Sequence, residues 1–435
     1  MLRPTIAARG LASVVLAIAL GCAPAELPER ARGESVEEAD DGPSLLACYE
    51  RGVEARERGD WSAARDAFVE AVALAPQSPS LRLYAASALA RVGDGPACLE
   101  HLEAAARLGC AADLASDEAF DELSLRPEFA DVIRRLAANA VPLAPGEVVH
   151  RFNDTELWVE GIAVDETTGD LYVGSLFEHA IYRLDSEGGV ERVGSPDELM
   201  EVIGIWVDGG RRALWAVTGD GPWRDTEDVP PRRNELVRLD LDTGTVDGRW
   251  PIPDDVPRLL NDVTGAADGT VWASESLRGE VYRIPPDGEL ELFARYGELV
   301  FLNGIAVSSD GTRLYLGDFV GLTVVAPADG SVRRITGTDM ALGMVDGLSW
   351  FDGGLVVVQN NPRVNFRVVR VDLGADGVTA ERLEILAAGV PDGTIPYTSA
   401  VMGDTVWVVA GAPFELKQTA ETPPAAAVVR MPLGR

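Results

Sequence analysis

The sequence predicts a multidomain protein in which a small all-α module precedes an all-β, six-bladed β-propeller. Six segments share a pattern of apolar strand, tight turn and second apolar strand, and they begin at Glu160, Gly204, Asn261, Asn303, Asp346 and Thr398. These starts are separated by 44, 57, 42, 43 and 52 residues, and repeats of about 40–50 residues with four strands each are typical of propeller blades. Upstream, from Leu45, the apolar residues recur with the period of a helix.

The second half of each repeat also predicts a strand. The candidate third strands are AIYRLD, ELVRLD, EVYRIP, LTVVAP, VVRVDL and AVVRMP. The two long spacings have local causes, namely a charged, Pro-rich insertion at residues 219–234 and an extended outer hairpin around residues 374–377. Asp-Gly pairs such as Asp310-Gly311 supply the positive φ angles that tight hairpins need. We expect residues 147–435 to form the propeller, with EVVHRF at residues 147–152 pairing with the last blade and closing the ring.

The N-terminal residues predict an export signal. Arg3 and Arg9 precede an apolar run at residues 11–20 that is too short to span a bilayer. Leu20-Gly21-Cys22 resembles a bacterial lipobox, which implies a signal peptide at residues 1–21, cleavage before Cys22 and lipidation of its thiol. The alternative is an ordinary secretory signal with a chance cysteine. A lipid anchor would place the protein in the bacterial cell envelope, periplasmic or facing the outer membrane if the cell is Gram-negative.

Residues 22–43 are acidic and poor in large apolar side chains, so they predict a flexible tether. Residues 44–140 predict the helical module, whose first part resembles a tetratricopeptide repeat. The matching packing residues are Gly52, Ala64, Phe68, Ala71 and Pro76, and a shift of 34 residues gives a weaker second set at Ala86, Cys98, Leu102, Ala105 and Cys110. A further helical stretch at residues 117–138 would cap the pair. Such repeats commonly dock protein partners.

Charge and cysteine content narrow the classes of partner. The formal net charge is −32, which disfavours nucleic acid and anionic lipid as partners, so we expect membrane contact only through the lipid anchor. Besides Cys22, the cysteines are Cys48, Cys98 and Cys110, all in the helical region. An odd number in an exported protein leaves at least one thiol unpaired.

Four of the six repeats begin with an oxygen-bearing side chain, at Glu160, Asn261, Asn303 and Asp346. If these strands are equivalent members of a closed ring, the four side chains meet at one end of its axis. Two carboxylates and two amide carbonyls form a site for a hard cation, and calcium fits best, with zinc and manganese as alternatives. The structural alternative is that each side chain only caps its strand by hydrogen bonding to the backbone.

These motifs resemble the calcium-dependent six-bladed propellers of the senescence-marker-protein, gluconolactonase and luciferin-regenerating-enzyme family. The resemblance extends from about Glu147 to the C-terminus, and NGIAVSSDGTRLYLGD from Asn303 is its best-matching segment. It implies that Glu160, Asn261, Asn303 and Asp346 bind the metal. It also implies that Asp346 acts as base or nucleophile and that Asn261 contacts the substrate. The implied reaction is hydrolysis of a small-molecule lactone or ester, with the metal polarising the carbonyl.

Loops on the same face as the strand starts supply candidate substrate-binding residues. They are His179, Trp223, Arg224, Phe319 and Arg363, with Phe177, Asn360, Asn361 and Phe414 as further members. For His179 and the arginines, an ordinary exposed side chain is the alternative interpretation. The sequence carries no nucleophile elbow, P-loop or dinucleotide fingerprint.

Two functions therefore remain open at this stage. One is a cell-envelope hydrolase with a calcium site at the propeller axis. The other is a non-catalytic binding or scaffold lipoprotein that docks partners through its helical repeats and the top face of its propeller. A fold alone does not decide between them.

Overall fold

The computed structural model describes residues 44–143, 146–152, 157–195, 198–220, 233–253, 256–389, 394–412 and 424–434. The predicted signal and tether, including Cys22, lie outside these residues, and so do Trp223, Arg224 and Phe414. Within the described ranges, no helix combines the length and the apolar character that crossing a membrane requires.

The N-terminal unit is helical, as predicted. Its helices are α1 Leu45–Glu57, α2 Trp61–Leu74, α3 Pro79–Arg91, α4 Gly95–Arg107, α5 Asp121–Ser124 and α6 Ala130–Asn139, with 3-10 turns at Leu114–Ser116, Glu118–Phe120 and Pro127–Phe129. Ser44, Asp60, Ser78 and Asp94 cap the first four helices by accepting a hydrogen bond from the backbone N–H three residues later. The starts of α1 and α3 lie 34 residues apart, as do those of α2 and α4. The tetratricopeptide resemblance itself stays a prediction.

Small and aromatic side chains pack the first helix pair together. A methyl group at Gly52 would lie 2.5 Å from a ring carbon of Phe68, and Phe68 stacks on Tyr84 with ring centroids 5.3 Å apart. Cys48, Cys98 and Cys110 are buried, free thiols. Burial raises the pKa of Cys98 and of Cys110 to about 12, so both are packing residues at neutral pH.

Six four-stranded antiparallel sheets follow, which confirms the six-bladed propeller. In the first three blades the strands are β2 Val159–Val164, β3 Leu171–Ser175, β4 Ala180–Leu184 and β5 Val190–Val193; β6 Glu201–Asp208, β7 Ala213–Gly219, β8 Asn234–Asp240 and β9 Val246–Pro251; and β10 Leu260–Gly265, β11 Val271–Glu275, β12 Glu280–Ile284 and β13 Glu291–Arg295. In the last three they are β14 Ile305–Val307, β15 Leu314–Gly317, β16 Leu322–Val325 and β17 Val332–Arg334; β18 Val345–Phe351, β19 Gly354–Gln359, β20 Arg367–Leu373 and β21 Ala380–Ala387; and β22 Ile395–Met402, β23 Thr405–Gly411, β24 Ala427–Pro432 and β1 Glu147–Arg151.

The chain closes the ring with its first strand, as the sequence predicts. Strand β1 pairs antiparallel with β24, so it forms the outer strand of the sixth blade. All six candidate third strands occupy the third position of their blades. The sixth blade therefore contains strands from both ends of the propeller segment, and this pairing closes the ring.

The inner strands β2, β6, β10, β14, β18 and β22 contact one another in sequence around the axis. Glycine allows this close approach. A Cβ atom at Gly161 would lie 2.5 Å from the Ile203 carbonyl oxygen, and one at Gly347 would lie 2.6 Å from the Thr398 Cα. Each glycine directly follows a predicted ligand, so the close approach of the strands occurs next to the predicted site.

The helical module packs against the propeller beside its fourth and fifth blades. The Ala341 N–H donates to the Leu108 carbonyl at 3.0 Å, and the Ala111 N–H donates to the Arg363 carbonyl at 2.7 Å. Leu108 also joins Ala341, Met344 and Val364 in one buried apolar cluster. The turn after α4 is therefore part of a continuous interface with the propeller.

Candidate metal and active site

The fold brings the four predicted ligands onto the inner strands of four blades. Glu160, Asn261 and Asp346 lie at the starts of β2, β10 and β18, and Asn303 lies two residues before β14. Because inner strands run in the same direction around a propeller, these positions share one end of the axis. Asn261, Asn303 and Asp346 are buried, whereas Glu160 keeps part of its surface accessible.

Two asparagine amides hold the carboxylate of Asp346. Asn303 donates from Nδ2 to Oδ1 at 2.8 Å, and Asn360 donates from Nδ2 to Oδ2 at 2.7 Å. The Oδ1 atoms of Asn303 and Asn360 are buried and have no hydrogen-bond partner among the described residues. Buried polar atoms without partners are costly and rare, so these two oxygens are free to accept a ligand.

Burial and two neighbouring carboxylates both disfavour the charged form of Glu160. Burial raises its pKa well above the ordinary value, and the charges of Asp346 and Asp262 raise it further. Burial also raises the pKa of Asp346 to about 6, although its hydrogen bonds from Asn360 and Asn303 act in the opposite direction. A cation bound between these groups would offset both effects.

Asp262 is a third acidic group at this site, and the sequence analysis did not identify it. Its side chain accepts hydrogen bonds from the N–H of Val263 at 2.9 Å and of Ile305 at 3.3 Å. Burial raises its pKa to about 7. A signal was present in the sequence, because glycine follows Glu160, Asn303 and Asp346, whereas aspartate follows Asn261.

Asn261 is oriented by a short chain of hydrogen bonds. Its Nδ2 donates to the Ser276 hydroxyl at 3.0 Å, and that hydroxyl donates to the Leu302 carbonyl at 2.6 Å. The carboxylate of Glu275 accepts from the backbone N–H groups of Leu259, Leu277 and Arg278 at 2.8–2.9 Å. Ser276 therefore orients the Asn261 amide, and Glu275 holds the backbone of Leu259, two residues before Asn261.

The candidate substrate-binding residues that the structure describes lie in different parts of the fold. His179 is half-buried between β3 and β4 with a positive φ of 49°. Phe319 packs against the apolar cluster that contains Leu108, and the carbonyl of Arg363 accepts from the helical module. Phe319 and Arg363 therefore lie at the contact with the helices.

The donor chemistry of the axis fits calcium. Calcium takes carboxylate and amide-carbonyl oxygens in irregular geometry, and the site offers both kinds of oxygen, including the unpartnered Oδ1 of Asn303. Within the described parts of the chain, no three His, Cys, Asp or Glu side chains form a metal cluster by themselves.

The fold and the site together define a six-bladed β-propeller with oxygen-bearing side chains at one end of its axis. Residues 158–359 match the family described as the SMP-30/Gluconolactonase/LRE-like region, so this part of the propeller is similar to that family. No curated protein matches the sequence.

Several solved structures are similar to part of this chain at low sequence identity. A gluconolactonase from Xanthomonas campestris is 21% identical, with a TM-score of 0.44, over 67% of this chain and 97% of that one. A calcium-binding regucalcin from Agrobacterium tumefaciens is 17% identical, with a TM-score of 0.47, over 67% and 95%. A chain of a nidogen/laminin complex is 15% identical, with a TM-score of 0.44, over 56% and 85%.

Proposed function

We propose that the propeller is a calcium-dependent hydrolase of small lactones or esters. One observation carries the proposal: the carboxylates of Glu160, Asp262 and Asp346 influence one another at one end of the axis, beside two buried amide oxygens without partners. Such uncompensated groups are costly unless a ligand satisfies them. The match of residues 158–359 to the SMP-30/Gluconolactonase/LRE-like region supports the proposed reaction class.

Glu160, Asn261, Asn303 and Asp346 would hold the cation. When bound, calcium supplies a Lewis acid that polarises a carbonyl oxygen and stabilises negative charge on it. Zinc and manganese are the alternative cations, and titration of the metal-stripped protein with each metal would distinguish them from calcium.

Asp346 is the residue that we assign to proton transfer. The two amides that donate to its oxygens fix the plane of the carboxylate, which is the orientation that a general base needs. With a pKa of about 6 it is mostly ionised at neutral pH. It would take a proton from the attacking water while the water oxygen bonds to the carbonyl carbon. The ester C–O bond then breaks, and the leaving oxygen takes that proton. Direct attack by the carboxylate is the alternative.

The test compares Asp346→Asn with Asp352→Asn on a panel of γ-lactones, δ-lactones and aryl esters in the presence of calcium. Asp352 lies in the exposed turn at the other end of β18, so it controls for a lost charge on the same blade. We expect turnover to fall at least a hundredfold in Asp346→Asn and to persist in Asp352→Asn. Full turnover by Asp346→Asn would remove the assigned base.

Docking of a protein partner by the helices is the second candidate function. A groove of about 470 Å³ on the helical module is lined by charged residues of both signs, among them Arg51, Glu54, Arg58, Asp66 and Glu70. A peptide with alternating charges would fit such a lining. Alanine substitution of Arg58 and Asp66 would abolish capture of that partner by the full-length protein if the groove is used, and would leave capture unchanged if it is not.

A further inference from the structure

The turn of the helical module at residues 108–111 contacts the chain segments that carry Asp346 and Asn360. The interface hydrogen bonds join Leu108 to Ala341 and Ala111 to Arg363. Ala341 lies five residues before Asp346, and Arg363 lies three residues after Asn360. The helices therefore touch the two segments that determine where the Asp346 carboxylate lies.

Gln359 links this interface to the site. Its Nε2 donates to the carbonyls of Ala341 at 3.1 Å and of Gly343 at 2.5 Å, and its Oε1 accepts from the Arg367 Nε at 2.6 Å. Gln359 is buried and directly precedes Asn360, which donates to Asp346. Hydrogen bonds at Ala341, Gln359 and Asn360, joined by the peptide bond between Gln359 and Asn360, thus connect the Leu108 carbonyl to the Asp346 carboxylate.

Arg367 makes this network sensitive to small shifts. Arg367 is 2% exposed, and its guanidinium donates hydrogen bonds to the neutral oxygens of Gln359 and Ala341. Losing any hydrogen bond of a buried cation is destabilising, because the unpaired N–H group is then neither hydrated nor bonded to the protein. Residues 341–343 are consequently held from both sides, by Gln359 with Arg367 and by the helical turn.

Gly109 sets the distance between the two units. It has a positive φ of 81°, and a Cβ atom there would overlap the Arg367 Nη1 and lie 3.0 Å from the Met340 Cε. Gly59 and Gly93 have the same backbone conformation after α1 and α3, yet a Cβ atom at either would meet no heavy atom within 4 Å. Only the glycine after α4 touches the propeller in this way, among these three.

We propose that the helical turn at residues 108–111 is a positioning element for Asp346, so that the helical module sets the geometry of the axial site. The proposal rests on the function proposed above. Leu108, Gly109 and Ala111 act through Ala341, Gln359 and Arg363 and do not touch the substrate. The helices are then part of the active unit, in addition to any partner that they bind.

The test is Gly109→Ala in the full chain, with Gly93→Ala as the matched control. Both substitutions force an L residue into a positive φ, so both should lower the melting temperature of the metal-free protein. Only Gly109→Ala should also accelerate amide hydrogen exchange in residues 341–346. In calcium titrations we expect Gly109→Ala to weaken binding by about 10–100-fold, which is typical for groups that orient metal ligands, and Gly93→Ala to bind as the wild type does.

The two proposals fail in distinguishable ways. A wild-type protein that binds no calcium would overturn the proposed function, and the exchange measurement would still decide whether the helical turn positions residues 341–346. If Gly109→Ala binds calcium as tightly as the wild type and its exchange at residues 341–346 is unchanged, the positioning role is overturned. The hydrolase proposal would remain intact. An affinity loss of equal size in Gly93→Ala would also overturn it, because general destabilisation would then explain both variants.

Discussion

Asp262 and Asp346 illustrate how single residues define this site. Both are inner-strand carboxylates, with pKa values raised by burial to about 7 and about 6. The residue type at a strand start is visible in the sequence, which is why Glu160, Asn261, Asn303 and Asp346 could be predicted. Asp262 was missed because its neighbour Asn261 already satisfied the repeat pattern. The pairing of Asn360 with Asp346 was missed because it depends on a loop conformation that no local pattern encodes.

The raised pKa values predict an unusual pH dependence for the metal-free protein. Asp262 binds its proton more tightly in the folded state, with a pKa of about 7, than in the unfolded chain, where it is near 4. Ionising Asp262 in the folded protein therefore lowers the free energy of unfolding. This effect is absent below pH 4, grows between pH 4 and pH 7, and is complete above pH 7. Stability in a chelator should therefore increase as pH is lowered from 8 to 5, by an amount on the order of a few kcal/mol. Urea unfolding at each pH measures it.

Asp262→Asn is the matched variant for this experiment. An amide cannot ionise, so we expect the free energy of unfolding of Asp262→Asn to vary less between pH 8 and pH 5. A wild-type protein that loses stability as pH falls from 8 to 6 would contradict the assigned environment of these carboxylates. Equal slopes in the two proteins would show that Asp262 is not responsible.

At the scale of the element, the inner strands could be predicted because each carries its own signal. Apolar strands, Asp-Gly turns and a regular period are local features, and all six blades follow them. Helix α4 ends at Arg107, three residues before Cys110. Gly109 ends that helix with a positive φ, as glycine commonly does after a C-cap.

Close approach between inner strands predicts a large effect at Gly161. A Cβ atom there would lie 2.5 Å from a backbone oxygen of β6, which cannot move without shifting the neighbouring blade. Gly161→Ala should therefore lower the free energy of unfolding by about 1–3 kcal/mol. Gly297→Ala is the control, since a Cβ atom at Gly297 meets nothing within 4 Å and its φ is ordinary. Urea unfolding that gives equal stability for both variants would show that the inner strands are not in contact as described.

At the scale of the whole molecule, the order of a helical module and a propeller could be predicted, but their interface could not. The contacts join residues far apart in the chain, such as Leu108 with Ala341 and Asn139 with Asn365. The first is a backbone hydrogen bond and the second is donated by a single side-chain amide, so no local sequence pattern marks either contact. Phe319 and Arg363 were predicted as substrate-binding residues, and the structure places both beside the helices.

The lipid anchor is a proposal that concerns the molecule as a whole. If Cys22 is lipidated, the protein should partition with membranes when it is expressed in a bacterium, and Cys22→Ser should move it to the soluble periplasmic fraction. Cys48→Ser is the control, because Cys48 is a buried packing residue of the helical module. Membrane partitioning that is unchanged in Cys22→Ser would rule out an anchor at this residue.

A calorimetric calcium titration of the metal-stripped protein, beside Glu160→Gln, tests the axial site most directly. Glu160→Gln keeps the shape of the side chain and removes one of the charges that repel each other at the axis. We predict binding of about one equivalent by the wild type and a loss of at least tenfold in affinity in the variant. A folded wild-type protein that binds no calcium, or a variant with undiminished affinity, would contradict the central claim that these inner-strand oxygens form a cation site.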